Sequence, residues 1–199
     1  MDTSNWDTLE LTSTDPCRTT IIYKDLSSGS PVEKIIYTVR TDERGSRPIT
    51  IFADRIGRVV AELEWHLRMS DKLSMHGREM KSVGKWLKCK KERGTKEHVY
   101  SFKCSRGTEY SWKRREGENT LQLYSNNDTS DLLARFNPRD GSTITYTQHF
   151  QANLQICPQA KRDLDEIIVS MLLIEKARRF GGNAGGISAG GTLLILAAS

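Results

Sequence analysis

The stretch DLDEIIVSMLLIEKARR, residues 163–179, decides how the rest of the chain reads. Asp163 and Glu166 make a D-x-x-E start, with acids where the positive end of a helix dipole favours them. Lys176, Arg178 and Arg179 sit at the other end, which favours cations, and Gly181 and Gly182 stop the helix. Pro158 upstream suits a first-turn position. At about 100° per residue, Leu164, Ile167, Ile168, Val169, Met171, Leu172, Leu173, Ile174 and Ala177 point in nearly every direction. Ser170 is the only polar residue between Ile167 and Ile174. A helix that is apolar all round is enclosed by protein or by lipid. An eight-residue apolar core is about 12 Å long, far short of a bilayer. Protein must therefore enclose it. A flat sheet covers one side of a helix; a sheet curled around it covers every side.

The preceding residues supply such a sheet. Ile35, Tyr37 and Val39 alternate with polar neighbours, as do Ala61, Leu63, Trp65 and Leu67. The pattern recurs at Tyr100, Phe102 and Cys104, at Tyr110 and Trp112, and at Leu121 and Leu123. It continues at Leu132, Ala134 and Phe136, then at Ile144 and Tyr146. Residues two apart share one face of a strand, so each run has a single apolar face, and such half-buried strands pair antiparallel. Turn-prone pieces such as SSGS at 27–30, DERGSRP at 42–48 and NPRDGS at 137–142 separate them. About eleven or twelve strands result. The segment 68–83 is readable as short helix, loop or irregular strand. The expectation is a mainly β fold, a roughly twelve-stranded antiparallel barrel around a buried hydrophobic C-terminal helix at about 160–179. Residues 1–180 make the domain, and 181–199, with six glycines, read as a flexible tail.

Composition narrows the function classes. The 199 residues are 37% hydrophobic and 28% charged, with a net charge of +5. MDTSNWDTLE at the start has neither a basic region nor an apolar run, and no apolar stretch approaches the ~18–20 residues of a membrane span. An intracellular, cytoplasmic protein is expected. Cys17, Cys89, Cys104 and Cys157 form no CxxC pair or zinc spacing, so reduced thiols are expected, with no metal and no cofactor. No nucleophile elbow or nucleotide loop is present.

Several segments together carry a resemblance: Trp6-Asp-Thr-Leu-Glu-Leu, Thr20-Ile-Ile-Tyr, Ile36-Tyr-Thr-Val-Arg-Thr, Val60-Ala-Glu-Leu-Glu-Trp, Gly107-Thr-Glu-Tyr-Ser-Trp, and the closing helix. In this order they resemble a fungal family of uncharacterised domains, the DUF6593 type, over about residues 6–179. That family is distantly similar to tubby C-terminal and LURP-one-related domains. The resemblance implies a barrel of about twelve strands around a hydrophobic C-terminal helix. Some tubby-like proteins bind phosphoinositides, but none of their ligand residues matches a position here.

One charge feature stands out. Residues 81–115 hold twelve Lys or Arg against Glu92, Glu97 and Glu109, a local net charge of +9. Candidate anion-binding residues are Lys85, Lys88, Lys90, Lys91, Arg93, Lys103, Arg106 and Lys113. Lys88, Lys90, Lys103 and Lys113 alternate along strands, so they can face outward together. Such a face attracts an anionic phospholipid surface; the bland reading is a solvated exterior that discourages edge pairing. Nucleic acid is disfavoured, because Trp86, Tyr100, Phe102, Tyr110 and Trp112 alternate as core residues rather than forming a stacking platform. The expectation is a non-enzymatic binding domain for an anionic membrane surface, with a protein-interaction module as the alternative. A hydrolase built on Glu64 and His66 ranks third, since Glu62, Glu64 and His66 read more simply as the wet side of a strand.

Overall fold

A computed structural model describes residues 5–25, 32–66, 69–91, 98–114, 119–126, 128–138 and 151–180. Among these residues the chain forms thirteen strands and two α-helices. The first meander is β1 (Asp7–Leu11), β2 (Thr19–Asp25), β3 (Val32–Asp42), β4 (Ile49–Asp54), β5 (Val59–Glu64), β6 (Lys72–Met75) and β7 (Lys81–Ser82). A single-turn helix, α1 (Val83–Trp86), leads to the second meander. It comprises β8 (Leu87–Lys91), β9 (His98–Lys103), β10 (Glu109–Arg114), β11 (Leu121–Ser125), β12 (Asp128–Asn137) and β13 (Asn153–Ile156). A 3-10 turn, Pro158–Asp163, then opens into α2 (Leu164–Phe180). The strand expected around Ile144 and Tyr146, and the 181–199 tail, lie outside the described residues.

All thirteen strands belong to one antiparallel sheet in the order β7-β6-β5-β4-β3-β2-β1-β13-β12-β11-β10-β9-β8. Every neighbouring pair is consecutive in sequence except β1 and β13, which align Asp7 with Ile156 and Leu9 with Leu154. The two meanders are thus joined in the middle of the sheet by β1 and β13, and at its two edges by α1. Four helical residues advance the chain only about 6 Å, so edges β7 and β8 are held near one another at that end and the sheet must curl. Among the described residues β7 and β8 do not pair. The closed barrel expected from the sequence is therefore corrected to an open, curled ladder. The physical reason lies in β7: two residues long, it leads straight into α1 and offers too little backbone for a further ladder.

The curl encloses α2. Ile167, Ile168, Val169, Met171, Leu172, Leu173 and Ile174 are all buried, as the all-round apolar pattern requires. Against them pack the inward residues of every long strand, including Leu9, Val39, Phe52, Leu63, Trp112, Leu123, Phe136 and Leu154. Each fully buried Leu, Ile or Phe contributes about 1.5–3 kcal/mol. The helix sits between distant parts of the sheet: Tyr37 on β3 donates to Asp165, and Trp112 on β10 donates from Nε1 to Ser170 Oγ at 2.9 Å. The Ser170 hydroxyl in turn donates a hydrogen bond to the Ile167 carbonyl at 2.9 Å. The one polar residue in the apolar stretch is thus fully partnered.

Three ladders shift register, β2–β3, β4–β5 and β11–β12, and the first of these overturns an expected inward position. The β2–β3 register slips between Ile21 and Ile22, where Ile21 pairs with Tyr37 and Ile22 with Ile35. The bulge turns Ile35 outward, 56% exposed, while Tyr37 and Val39 stay inside. Of the ambiguous 68–83 segment, the described residues 69–83 hold β6, β7 and the start of α1. A tight turn follows β6: His76 (φ 51°) and Gly77 (φ 69°) are both left-handed, and the Arg78 N–H closes the turn on the Met75 carbonyl at 3.0 Å. This is the type I′ arrangement, in which two successive residues need positive φ.

Candidate functional site

The basic residues divide between two faces and a turn. In the β8–β9–β10 registers, Lys88 opposes Ser101 and Ser101 opposes Ser111, while Lys90 opposes Val99 and Lys103 opposes Glu109. Leu87, Phe102, Tyr110 and Trp112 take the inward positions of these strands. Lys88, Lys90, Lys103 and Lys113 therefore share the outer face, as their spacing indicates. Lys88, Lys90 and Lys103 are exposed, and Lys113 is half-buried with its ammonium 5.8 Å from the centre of the Tyr124 ring. Glu109 is the acid on this patch, 3.7 Å from the Lys103 ammonium. Across the next strands Lys113 opposes Gln122, which opposes Arg135. Arg135 Nε is buried and makes no hydrogen bond among the described residues. It extends the basic face by a fifth cation that lies outside the 81–115 charge run.

The other candidates do not join this face. Lys91 has the parity of Leu87 and is exposed only because it ends β8; Lys85 is exposed on α1. Arg106 lies in the β9–β10 turn and approaches Asp163, with Nε 3.7 Å from Oδ1. That turn closes from the Gly107 N–H to the Cys104 carbonyl at 3.0 Å, with Gly107 at φ 91°. Arg93 lies outside the described residues.

The turn belongs to a second cluster, at the start of α2. Asp163 is buried and accepts the Tyr110 hydroxyl at 2.7 Å. Asp165 accepts the Tyr37 hydroxyl, and Glu166 accepts the Ser105 N–H at 3.1 Å. The acids that read as helix caps thus tie the helix start to β3, β10 and the β9–β10 turn. His76 faces the same cluster, its Nδ1 3.8 Å from Asp165 and its Nε2 3.7 Å from Glu166. Burial first, and then the carboxylates they bind, push the Tyr37 and Tyr110 phenols well above their ordinary value. Beside the cluster lies a cleft of about 260 Å³, lined in part by Leu73, Met75, His76, Trp86, Ser105 and Glu166.

The far end of α2 is pinned differently. The Lys176 ammonium lies 2.5 Å from Asp71 Oδ2 and 3.9 Å from the centre of the Trp65 ring. The other Asp71 oxygen accepts the His66 N–H at 2.9 Å. Glu175, itself buried, receives Arg178 at 2.7 Å and also Arg179. Trp65 donates to Thr50 at 2.8 Å, and beside this network burial pushes the Cys17 thiol up to about 12.

Glu64 and His66 do come together, with Glu64 Oε1 3.2 Å from His66 Nε2. That ring nitrogen makes no hydrogen bond among the described residues, whereas Arg47 reaches the same carboxylate oxygen at 2.5 Å. The Arg47 hydrogen bond foremost holds the Glu64 carboxyl below its usual range, which weakens it as a general base. Among the described residues no three His, Cys, Asp or Glu side chains are grouped to hold a metal, and no helix is long and apolar enough to cross a membrane.

The tyrosines, His76 and Trp112 carry no sequence signal for these roles, because the residues they bind are 53 to 128 positions away along the chain. No curated protein and no solved structure matches the chain. A family model does match, from residue 14 to residue 180, spanning the sheet from just after β1 to the end of α2. The chain belongs to that family, the family of unknown function DUF6593.

Proposed function

We propose that this domain is a non-enzymatic binding module that meets an anionic phospholipid surface with the outer face of β8–β10. The observation that carries the reading is the gathering of Lys88, Lys90, Lys103 and Lys113 on one sheet face against, among the described residues, a single acid, Glu109. Arg135 adds to it. In the same reading the curled sheet acts as a barrel around α2 of the kind implied by the tubby-like resemblance, and the anionic cytoplasmic leaflet is the surface met. A Lys near such a surface contributes about 1 kcal/mol, so four give roughly 4 kcal/mol, a millimolar affinity. Contact is thus weak, reversible and sensitive to salt.

Flotation with vesicles that contain or lack an anionic phospholipid tests the reading. Binding should require the anionic lipid, weaken as salt rises, and disappear in the Lys88→Glu/Lys90→Glu/Lys113→Glu variant. Binding that ignores lipid charge, or that survives this variant, sinks it. Salt-insensitive capture of a protein without lipid would favour the interaction-module alternative.

A further inference from the structure

The seam between the two sheet edges holds a cleft that the lysine face does not account for. One wall comes from β6, the turn after it, β7 and α1; the other comes from the end of β9 and the β9–β10 turn; the first turn of α2 lies beneath. It opens near the place where the ladder stops, since β7 and β8 do not pair among the described residues. Its walls are apolar: Leu73, Met75 and Trp86, with Trp86 braced on Phe102 at 5.4 Å between ring centres. Its mouth is cationic. Arg78, Lys81 and Lys103 line it and are exposed, with Glu79 as the exposed acid among them. Glu166 at the base is already engaged by the Ser105 N–H and faced by His76, so its charge is partly answered from within.

We propose that this cleft binds a small molecule with an apolar body and one anionic group, a carboxylate or a phosphate monoester. The apolar body lies against Met75 and Trp86, and the anion lies between Arg78 and Lys81. Pockets for drug-sized ligands run from about 300 to 1,000 Å³. At about 260 Å³ the cleft falls just below that range, so it takes one ring or one short chain. A two-chain phospholipid exceeds it. The inference therefore stands apart from the membrane-surface reading, and the variants that test it avoid Lys103, the one lysine common to both.

Isothermal titration of the full chain with octanoate and with phenyl phosphate tests it, with octylamine and inorganic phosphate as controls. At least one of the two anionic probes should bind saturably. Octylamine should bind at least tenfold more weakly, because its charge meets the cationic mouth, and inorganic phosphate likewise, because it lacks the apolar body. Arg78→Glu/Lys81→Glu should weaken the anionic probe at least tenfold with an unchanged near-UV spectrum, and Trp86→Ala should weaken it too. Lys88→Glu/Lys90→Glu should leave it unchanged while abolishing vesicle flotation. The proposal fails if neither anionic probe binds saturably, if octylamine or inorganic phosphate binds as tightly, or if Arg78→Glu/Lys81→Glu retains full affinity.

Discussion

At the residue scale, the acids at the start of α2 show how far local reading reaches. The sequence identifies Asp163 and Glu166 as residues that belong at a helix start, and they are there. It cannot show that Asp163 accepts Tyr110, because that contact spans 53 residues. Tyr110→Phe leaves the buried Asp163 without its hydroxyl donor, and the cost is about 1–3 kcal/mol. Arg106 and Arg162, each 3.7 Å from that carboxylate, hold the loss to the lower part of the range. The raised phenol values of Tyr37 and Tyr110 also give an alkaline signature. Their contribution to stability is complete below about pH 10, the ordinary phenol value in the unfolded chain. It is lost as pH rises from there toward the folded-state values. Urea unfolding at pH 8 and pH 11 should show a loss in the parent protein and a smaller one in Tyr110→Phe. The cysteines give a simpler test of burial. Cys17, Cys104 and Cys157 are buried and Cys89 is half-buried. Iodoacetamide at pH 8 should modify Cys89 first, and slowly, since burial raises its thiol too. The other three should react only in denaturant, as mass spectrometry would reveal.

At the element scale, α2 was legible because its pattern is local and extreme. Seven consecutive-turn apolar residues without a polar face leave enclosure as the only outcome, and all seven are buried. Strands with six or more clean residues, such as β9 and β10, were equally legible from alternation. Three features were not. Ile35 faces out because of a bulge, which depends on the register with β2 rather than on its own neighbours. The two residues of β7 have no period to read. The four residues of β13 give an alternation of only two apolar positions, Leu154 and Ile156. The helix itself yields a sharp test. Leu172→Asp places a carboxylate in the core, where the cation one turn on, Lys176, is already paired with Asp71, and this costs several kcal/mol out of the roughly 5–15 kcal/mol that holds a domain together. The far-UV and near-UV spectra should both collapse. Leu172→Met, which conserves volume, should cost under about 1.5 kcal/mol. A folded Leu172→Asp protein would put the helix on the surface.

At the scale of the whole molecule, the route of the chain explains why the sheet count was nearly readable and its closure was not. Each meander is a run of sequential hairpins, which turn signals announce. Closure depends on what the two edge strands do with each other, and that is a property of the assembled sheet. The same route makes the domain a single cooperative unit. Among the described residues the strands of the two meanders share backbone pairing at β1 and β13 alone, four aligned residue pairs long. Apart from α1 at the outer edges, side-chain hydrogen bonds through α2 tie the two together: Tyr37 and Lys176–Asp71 on the first meander, Tyr110 and Trp112 on the second. Without the helix, the inward faces of thirteen strands would surround a void, and water would fill it. A chain ended at residue 157 should therefore show neither a cooperative urea transition nor the near-UV signal of the buried Trp112. In the full chain, tryptophan fluorescence and far-UV ellipticity should trace one coincident transition. Should the shortened chain keep a strand spectrum and unfold cooperatively, the sheet would be self-sufficient, and α2 would be an addition to the fold rather than the core on which it forms.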